Sequence, residues 1–314
     1  MGTMLQKMGM EPRTVPELLN FTRPDWIKSI HRAYLDAGSQ IIYANTFGAN
    51  RRKLSRTDRT CAEVIAAAVK LAKEAAQGTD ALVALDVGPI GELLEPMGTL
   101  TFENAYDIFA EMMEAGAKAG ADLVVIETMT DLYETKAALL AAKENTALPV
   151  FVTMSFEASG RTFTGCTAAS MAHTLEGLGA DAIGVNCSLG PKELLPLVQE
   201  LRRHTTLPLI AKPNAGLPDP EDGRYDLPPE EFAAAMTELI QAGAALVGGC
   251  CGTDERYIQA LKAVLPEKAP FIAVSPPPLI CTPTAAVALD RVRVIGERVN
   301  PTGKKRFQDR KSVV

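Results

Sequence analysis

The sequence predicts a (β/α)8 barrel of the TIM type whose first strand is absent from the chain. Three observations carry that expectation. Apolar runs of strand length recur at 81–87, 123–128, 150–156, 182–187, 209–214 and 245–250, after an earlier one at 40–46. They are near-continuous in Val, Ile, Leu and Ala, as parallel strands buried on both faces should be. Alanine- and leucine-rich stretches of helical period separate them, and the mean repeat of roughly 34 residues matches one βα unit. Finally, a glycine precedes four of the strands, at Gly38, Gly120, Gly179 and Gly243, where a left-handed residue commonly ends a helix. Seven such units, followed by a break in pattern after Leu265, suit a barrel better than a doubly wound sheet.

In chain order, residues 1–6 hold no strand. Thr22-Arg23-Pro24-Asp25 reads as a helix entry with proline in the first turn, leading into Trp26, Ile27, Ile30 and Tyr34. The βα repeats then run from Gln40 to Leu265. Residues 266–283, with Pro270 and Pro276-Pro277-Pro278, read as an extended, semi-rigid linker. The expected domains are a barrel at 1–268, a Pro-rich linker at 269–290, and the start of a truncated further domain at 291–314.

Composition excludes several classes. Of 314 residues, 47% are hydrophobic and 22% charged, which suits a soluble globular protein with a large core. The formal net charge of −6, with basic blocks confined to the last two dozen residues, argues against a nucleic-acid partner. No apolar run approaches the roughly 20 residues that span a bilayer, and no signal-peptide pattern opens the chain. The six cysteines are sparse and irregularly spaced, unlike a secreted disulfide framework. A reducing, cytoplasmic setting is expected.

A barrel places its chemistry at the carboxyl ends of the strands. Polar residues gather there: Asn45-Thr46, Asp86, Glu127-Thr128, Asn186-Cys187, Lys212 and Asn214, then Cys250-Cys251. Consecutive strand residues point to opposite faces, so Cys250 and Cys251 could not both serve one site on a regular strand. Their flanking glycines, Gly248-Gly249 and Gly252, relax that restriction. Thr253 reads as the N-cap of the next helix, with Asp254 and Glu255 in its first turn. Cys187 ends the sixth barrel position and the vicinal pair ends the eighth. Three converging thiolates suit tetrahedral Zn²⁺ with its fourth position open, the form of a catalytic site. His31 and His173 fall in predicted helices and His204 at a helix end, so none is placed as a fourth ligand. Spacing alone equally allows a buried, inert Cys187 and a redox-active vicinal pair. Cys61 and Cys281 read as helix and linker thiols, and Cys166 lies in a loop at the active pole.

Gly184-Val185-Asn186-Cys187 and Gly248-Gly249-Cys250-Cys251-Gly252-Thr253 resemble the zinc signature of the homocysteine S-methyltransferase family. The stretch from Ala84 to Gly91, Ile126-Glu127-Thr128, and Lys212-Pro213-Asn214-Ala215-Gly216 are also similar to it, and the likeness spans roughly residues 1–265. Within the family it is nearest to the amino-terminal, homocysteine-binding module of the cobalamin-dependent, methionine-forming members. The stretch from Ile295 to Gly303 resembles the opening of their folate-binding barrel.

The resemblance implies that Cys187, Cys250 and Cys251 bind Zn²⁺ and that the sulfur of L-homocysteine takes the open position. It assigns Glu127 to the substrate's amino group and Asn186 to a hydrogen bond near the metal. The implied donor is methylcobalamin, carried by a separate corrinoid-binding module rather than by this chain's residues, and recharged from 5-methyltetrahydrofolate on a folate-binding module. Transfer from S-methylmethionine or betaine is the alternative within the family. A truncated, non-catalytic zinc-binding domain is the alternative outside it. Family members carry an Asp-Gly pair on the first strand, just before the Met-Gly-Thr that opens this chain. Its absence would remove a substrate-binding aspartate and leave unpaired edges at the second and eighth barrel positions.

Overall fold

The computed structural model describes residues 1–294 apart from 220, 222, 269 and 271. Two short helices, α1 (Gly2–Lys7) and α2 (Leu19–Thr22), precede α3 (Pro24–Asp36). Strand and helix then alternate: β1 (Ile41–Tyr43), α4 (Cys61–Ala76), β2 (Leu82–Val87), α5 (Phe102–Ala119), β3 (Leu123–Met129) and α6 (Leu132–Asn145). They continue as β4 (Val150–Met154), α7 (Ala168–Gly177), β5 (Ala182–Asn186), α8 (Pro191–His204) and β6 (Leu209–Lys212). The series closes with α9 (Pro229–Gln241), β7 (Ala244–Val247) and α10 (Glu255–Val264).

Local chemistry explains the helix boundaries. Pro24 opens α3 as expected, since a first-turn residue needs no amide hydrogen. At α4, Thr60 Oγ1 accepts from the Glu63 amide at 3.3 Å and Glu63 Oε2 accepts from the Thr60 amide at 2.9 Å, a reciprocal cap. Gly38, Gly120, Gly179 and Gly243 all take positive φ, as the sequence pattern requires. Cys250-Cys251 is followed by a helix, but its N-cap is Asp254, which accepts from the Arg256 amide. Thr253, the expected cap, instead turns its hydroxyl back to the Cys250 carbonyl at 2.7 Å.

The seven strands form one parallel sheet in the order β1-β2-β3-β4-β5-β6-β7. Its outer face meets the helices in a continuous core in which Phe109, Phe156 and Phe232 are fully buried. A separate apolar cluster of Ala84, Leu123 and Val125, backed by Ile41, Tyr43 and Phe151, packs together on the other face. Side chains alternate along a strand. Residues two steps beyond Ala84 and Val125, namely Asp86 and Glu127, therefore share that face and lie nearer the strands' carboxyl ends.

The observed strands stop earlier than the apolar runs suggest, because the residues beyond Asn186, Lys212 and Val247 leave the sheet to build the site. In the described residues β1 pairs with β2 alone and β7 with β6 alone. Both edges line one cavity of about 660 Å³, together with Ile30, His31 and Tyr34 of α3 and Ile258 and Leu261 of α10.

The proline-rich segment departs from the extended linker expected of it. β8 (Leu279–Cys281) and β9 (Ala286–Ala288) form an antiparallel hairpin. It rests on α7 through Ser170 Oγ to the Ala285 carbonyl at 3.4 Å, while Arg161 donates to the Thr284 carbonyl at 3.0 Å. The run Pro276-Pro277-Pro278 gives way at Leu279 to residues that can donate to a ladder, and Pro283 falls in the connection between the two strands. The folate-like stretch at 295–303 lies outside the described residues. No helix among those described is long and apolar enough to cross a membrane.

His31 is 3% exposed, and its Nε2 has no hydrogen-bond partner. Burial lowers its pKa from 6.5 to about 4, so the unfolded chain takes up the proton first. Stability should be full above pH ~6.5 and fall by about 3 kcal/mol as pH drops towards 4. Thermal unfolding across that window should show the loss in the native protein and a flatter profile in His31→Leu.

Candidate metal centre

Cys187 follows directly on β5, and it turns the chain in a conformation L-residues avoid. Cys187 and Ser188 have φ of 62° and 59°, both in the left-handed region, which costs of order 1 kcal/mol or more per residue unless the surroundings hold it. Hydrogen bonds hold it here: the Cys187 amide donates to the Lys212 carbonyl at 3.1 Å, and the Leu189 amide to the Cys187 carbonyl at 2.7 Å.

The vicinal pair is held from the same neighbouring strand. Gly248 donates to the Ala211 carbonyl at 3.2 Å and Cys250 to the Pro213 carbonyl at 2.8 Å. The Cys251 amide donates to Asn214 Oδ1 at 3.1 Å. Two glycines make this path possible. A Cβ on Gly249 would lie 2.5 Å from Thr253 Oγ1, and Gly252 has φ +81° with the Tyr225 ring against it.

The result is three sulfurs within 4.8 Å of one another. Sulfurs held ~2.3 Å from a tetrahedral ion lie ~3.8 Å apart, and Cys187 Sγ to Cys251 Sγ measures 3.7 Å. The donor set and spacing fit a thiophilic ion such as zinc with one position left for another ligand. The clustered thiols hold their protons: Cys250 is pushed up to about 12 by its hydrogen bond with Cys187 together with burial. Only a cation brought to the site would ionise all three near neutrality.

Asn186, fully buried, braces this centre. Its Oδ1 accepts from the Thr128 amide at 2.9 Å and from Thr153 Oγ1 at 2.8 Å. Its Nδ2 donates to Thr128 Oγ1 at 2.8 Å and approaches Cys250 Sγ at 3.8 Å. One side chain thus ties the ends of β3, β4 and β5 to a sulfur of the cluster.

Beside the sulfurs lies a buried charge cluster. Glu127 Oε2 forms an ion pair with Lys212 Nζ, and that ammonium sits 4.1 Å from the centroid of the Tyr43 ring. Burial pulls the Lys212 pKa down, but the Glu127 charge outweighs it and the ammonium is held charged. Asp86 faces the same cavity, as do Glu127, Cys187, Cys250 and Cys251.

Of the residues marked in the sequence, the three cysteines and Glu127 meet in one cavity, with Asn186 behind them. The pairing of Glu127 with Lys212 was not expected, and neither was the backbone support from Asn214. Both residues stand in the polar set at the strand ends, yet nothing in the sequence pairs partners 85 and 37 positions apart. Cys61 is buried in the outer core, as its helical context suggests, and Cys166, which the sequence places only in a loop at the active pole, is buried in that core too. His31, His173 and His204 lie on helices, and none belongs to the sulfur cluster.

Similarity to known proteins identifies the class to which this fold and centre belong, the methyltransferases. The family model for homocysteine S-methyltransferase matches residues 1–265, and the chain belongs to that family. It is 33% identical over 312 residues to methionine synthase of Mycobacterium tuberculosis, covering 93% of this chain and 26% of that protein. Methionine synthase of Mycobacterium leprae is 32% identical over 325 residues, again at 93% and 26%. The chain therefore spans about a quarter of the length of these relatives. Among solved structures, the homocysteine methyltransferase MmuM of Escherichia coli in its oxidized form has a TM-score of 0.73 at 24% identity, over 84% of this chain and 93% of that one. Its metallated form gives 0.72 at 24% identity, over the same shares. The curled sheet is thus similar to that TIM-type barrel.

Cys250→Ser should leave a chain that retains no zinc after dialysis, measured by atomic absorption against a stoichiometrically loaded native protein. Asn186→Ala keeps all three sulfurs but loosens their frame. Its zinc affinity should fall by about 10- to 100-fold in a chelator competition.

Proposed function

We propose that this chain is the zinc-holding, homocysteine-binding module of a cobalamin-dependent methionine-forming enzyme. The reaction is transfer of a methyl group to the thiol of L-homocysteine. The observation that carries the reading is the conjunction of three sulfurs spaced for one metal ion and a buried carboxylate–ammonium cluster, all in one cavity. A sulfur-bearing amino acid is the substrate such a pairing suits: its thiol for the metal, its charged end for the charges.

Zn²⁺ bound by Cys187, Cys250 and Cys251 would stabilise a thiolate over a thiol and so make the sulfur nucleophilic at neutral pH. The remaining work belongs to the chain. Glu127 binds the substrate's amino group while keeping Lys212 as its second partner. Asn186 fixes Thr128 and Cys250 so that the sulfur ligands hold position. The barrel mouth admits a methyl donor carried elsewhere, methylcobalamin on a corrinoid module, recharged from 5-methyltetrahydrofolate. The likeness to the mycobacterial methionine synthases favours this donor over S-methylmethionine or betaine. We further infer that an eighth parallel strand completes the barrel between β1 and β7. Both edges border the same cavity, and α3 and α10 flank it in the way that neighbouring barrel helices flank a strand.

Zinc-loaded protein given homocysteine should demethylate added methylcobalamin and release methionine, and should not turn over S-methylmethionine or betaine. Turnover of a sulfonium donor alone would reverse the assignment of donor, and bound zinc without turnover at high homocysteine would support a non-catalytic domain. Glu127→Gln should raise the homocysteine KM by about tenfold or more, with zinc content unchanged.

A further inference from the structure

A divalent ion held by three thiolates carries one surplus negative charge. The three cysteines that would hold it are half-buried, and negative charge kept away from water is costly unless it is hydrogen-bonded. Donors aimed at the sulfurs relieve that cost, as outer partners commonly do at metal sites. The structure supplies one to each sulfur. The Ser188 amide is within hydrogen-bonding reach of Cys187 Sγ, and Asn186 Nδ2 stands 3.8 Å from Cys250 Sγ. The Tyr225 hydroxyl is within hydrogen-bonding reach of Cys251 Sγ. The first two donors come from the end of β5 and the turn after it. The third comes from a different part of the chain.

Tyr225 lies in the connection between β6 and α9, and the backbone carries it to the sulfurs. The Ala215 amide donates to the Cys251 carbonyl at 2.9 Å, and the Leu227 amide to the Ala215 carbonyl at 3.2 Å. The Tyr257 hydroxyl of α10 donates to the Leu227 carbonyl at 2.7 Å. The stretch that bears Tyr225 is therefore tied both to the cysteine loop and to the helix that follows it. The ring, half-buried against the core, covers Gly252, where an added Cβ would lie 2.5 Å from Tyr225 Cβ and Cγ. Packing thus accounts for the ring. It does not account for a hydroxyl set before a sulfur. A phenol keeps its proton at neutral pH, and a thiolate has none to give, so the hydroxyl is the donor in that pair.

We propose that Tyr225 donates a hydrogen bond to the Cys251 thiolate of the metal-loaded centre and so sets how much charge that sulfur gives the ion. The inference rests on the three-cysteine metal site of the reading above and is independent of which thiol is the substrate. A thiolate that accepts a hydrogen bond donates less charge to its metal. The ion then keeps more of its pull on a thiol arriving as fourth ligand, and that thiol loses its proton more readily. Asn186 acts on Cys250 in the same sense, but it also joins β3, β4 and β5, so removing it moves the frame as well. Tyr225 separates the two effects, because Tyr225→Phe takes away the hydroxyl and leaves the ring over Gly252.

Cobalt(II) in the three-cysteine site gives a readout apart from turnover. Each thiolate ligand contributes sulfur-to-metal charge-transfer absorption, and its energy falls as the sulfur becomes richer in charge. Cobalt-loaded native, Tyr225→Phe and Tyr225→Leu proteins are compared without substrate, and their zinc affinities are measured by chelator competition. Tyr225→Phe should keep the absorption intensity of three thiolates, move the band to longer wavelength and lose about tenfold in zinc affinity. Tyr225→Leu should show the same wavelength shift. A band that stays in place in Tyr225→Phe would overturn the proposal. So would a loss of intensity in that variant, because the hydroxyl would then be holding Cys251 in position rather than tuning its charge. Native protein that shows no cobalt–thiolate absorption would overturn the metal site and this inference with it. If the native bands appear and Tyr225→Phe shifts them, but L-homocysteine adds no further band, the homocysteine reading fails and the role of Tyr225 stands.

Discussion

The centre depends on β6. This strand lies between the two that end in cysteine, and its backbone receives both: the Lys212 carbonyl takes the Cys187 amide, and the Ala211 and Pro213 carbonyls take those of Gly248 and Cys250. Neighbouring strands are spaced ~4.8 Å apart, so side chains springing from β5 and β7 over an intervening strand begin too far apart for one ion. The left-handed turn at Cys187 and the glycine-bounded path of Cys250-Cys251 bring the sulfurs inward by leaving the sheet. The 3.7 Å sulfur contact is thus a property of loops registered against β6, and regular strand geometry would not produce it.

The same strand links the sulfur centre to the charge cluster. Lys212 belongs to β6 by its backbone and to Glu127 by its side chain. A shift of β6 would disturb both halves of the cavity together. An isolated buried ion pair adds little to stability, because desolvation offsets its attraction. Keeping one beside a further buried carboxylate is better understood as preorganisation, in which charges are fixed before a ligand arrives and need not be reoriented when it does. The apolar plug formed by Ala84, Leu123 and Val125 below keeps that cluster away from the opposite end of the barrel.

Asn186 shows how strain and hydrogen bonding balance at this pole. Thr128, like Cys187 and Ser188, has a positive φ, at 60°, and it is Asn186 that binds both its amide and its hydroxyl. An apolar residue of similar size would leave these groups unsatisfied in the interior, at roughly 1–3 kcal/mol each. The unusual backbone angles are therefore affordable only with this amide in place.

Much of the architecture was legible in one dimension. The repeat length, the doubly buried strands and the helix-ending glycines specify a curled parallel sheet, because each depends on a residue's immediate neighbours and on the need to bury both strand faces. The cysteines as a trio were legible too, through their position at strand ends and their likeness to a family motif. Other features arise from contacts between distant parts of the chain. The sequence could not pair Glu127 with Lys212, bring Tyr225 to Cys251, pass the N-cap from Thr253 to Asp254, or fold the proline-rich segment into a hairpin on α7. These outcomes turn on which polar groups meet when the strands curl together, and on the energetic demand that each buried donor or acceptor find a partner. Sequence by itself determined where the chemistry would gather. Tertiary structure alone decided which charges face one another there, since electrostatic pairing depends on distance through space and local patterning carries no record of it.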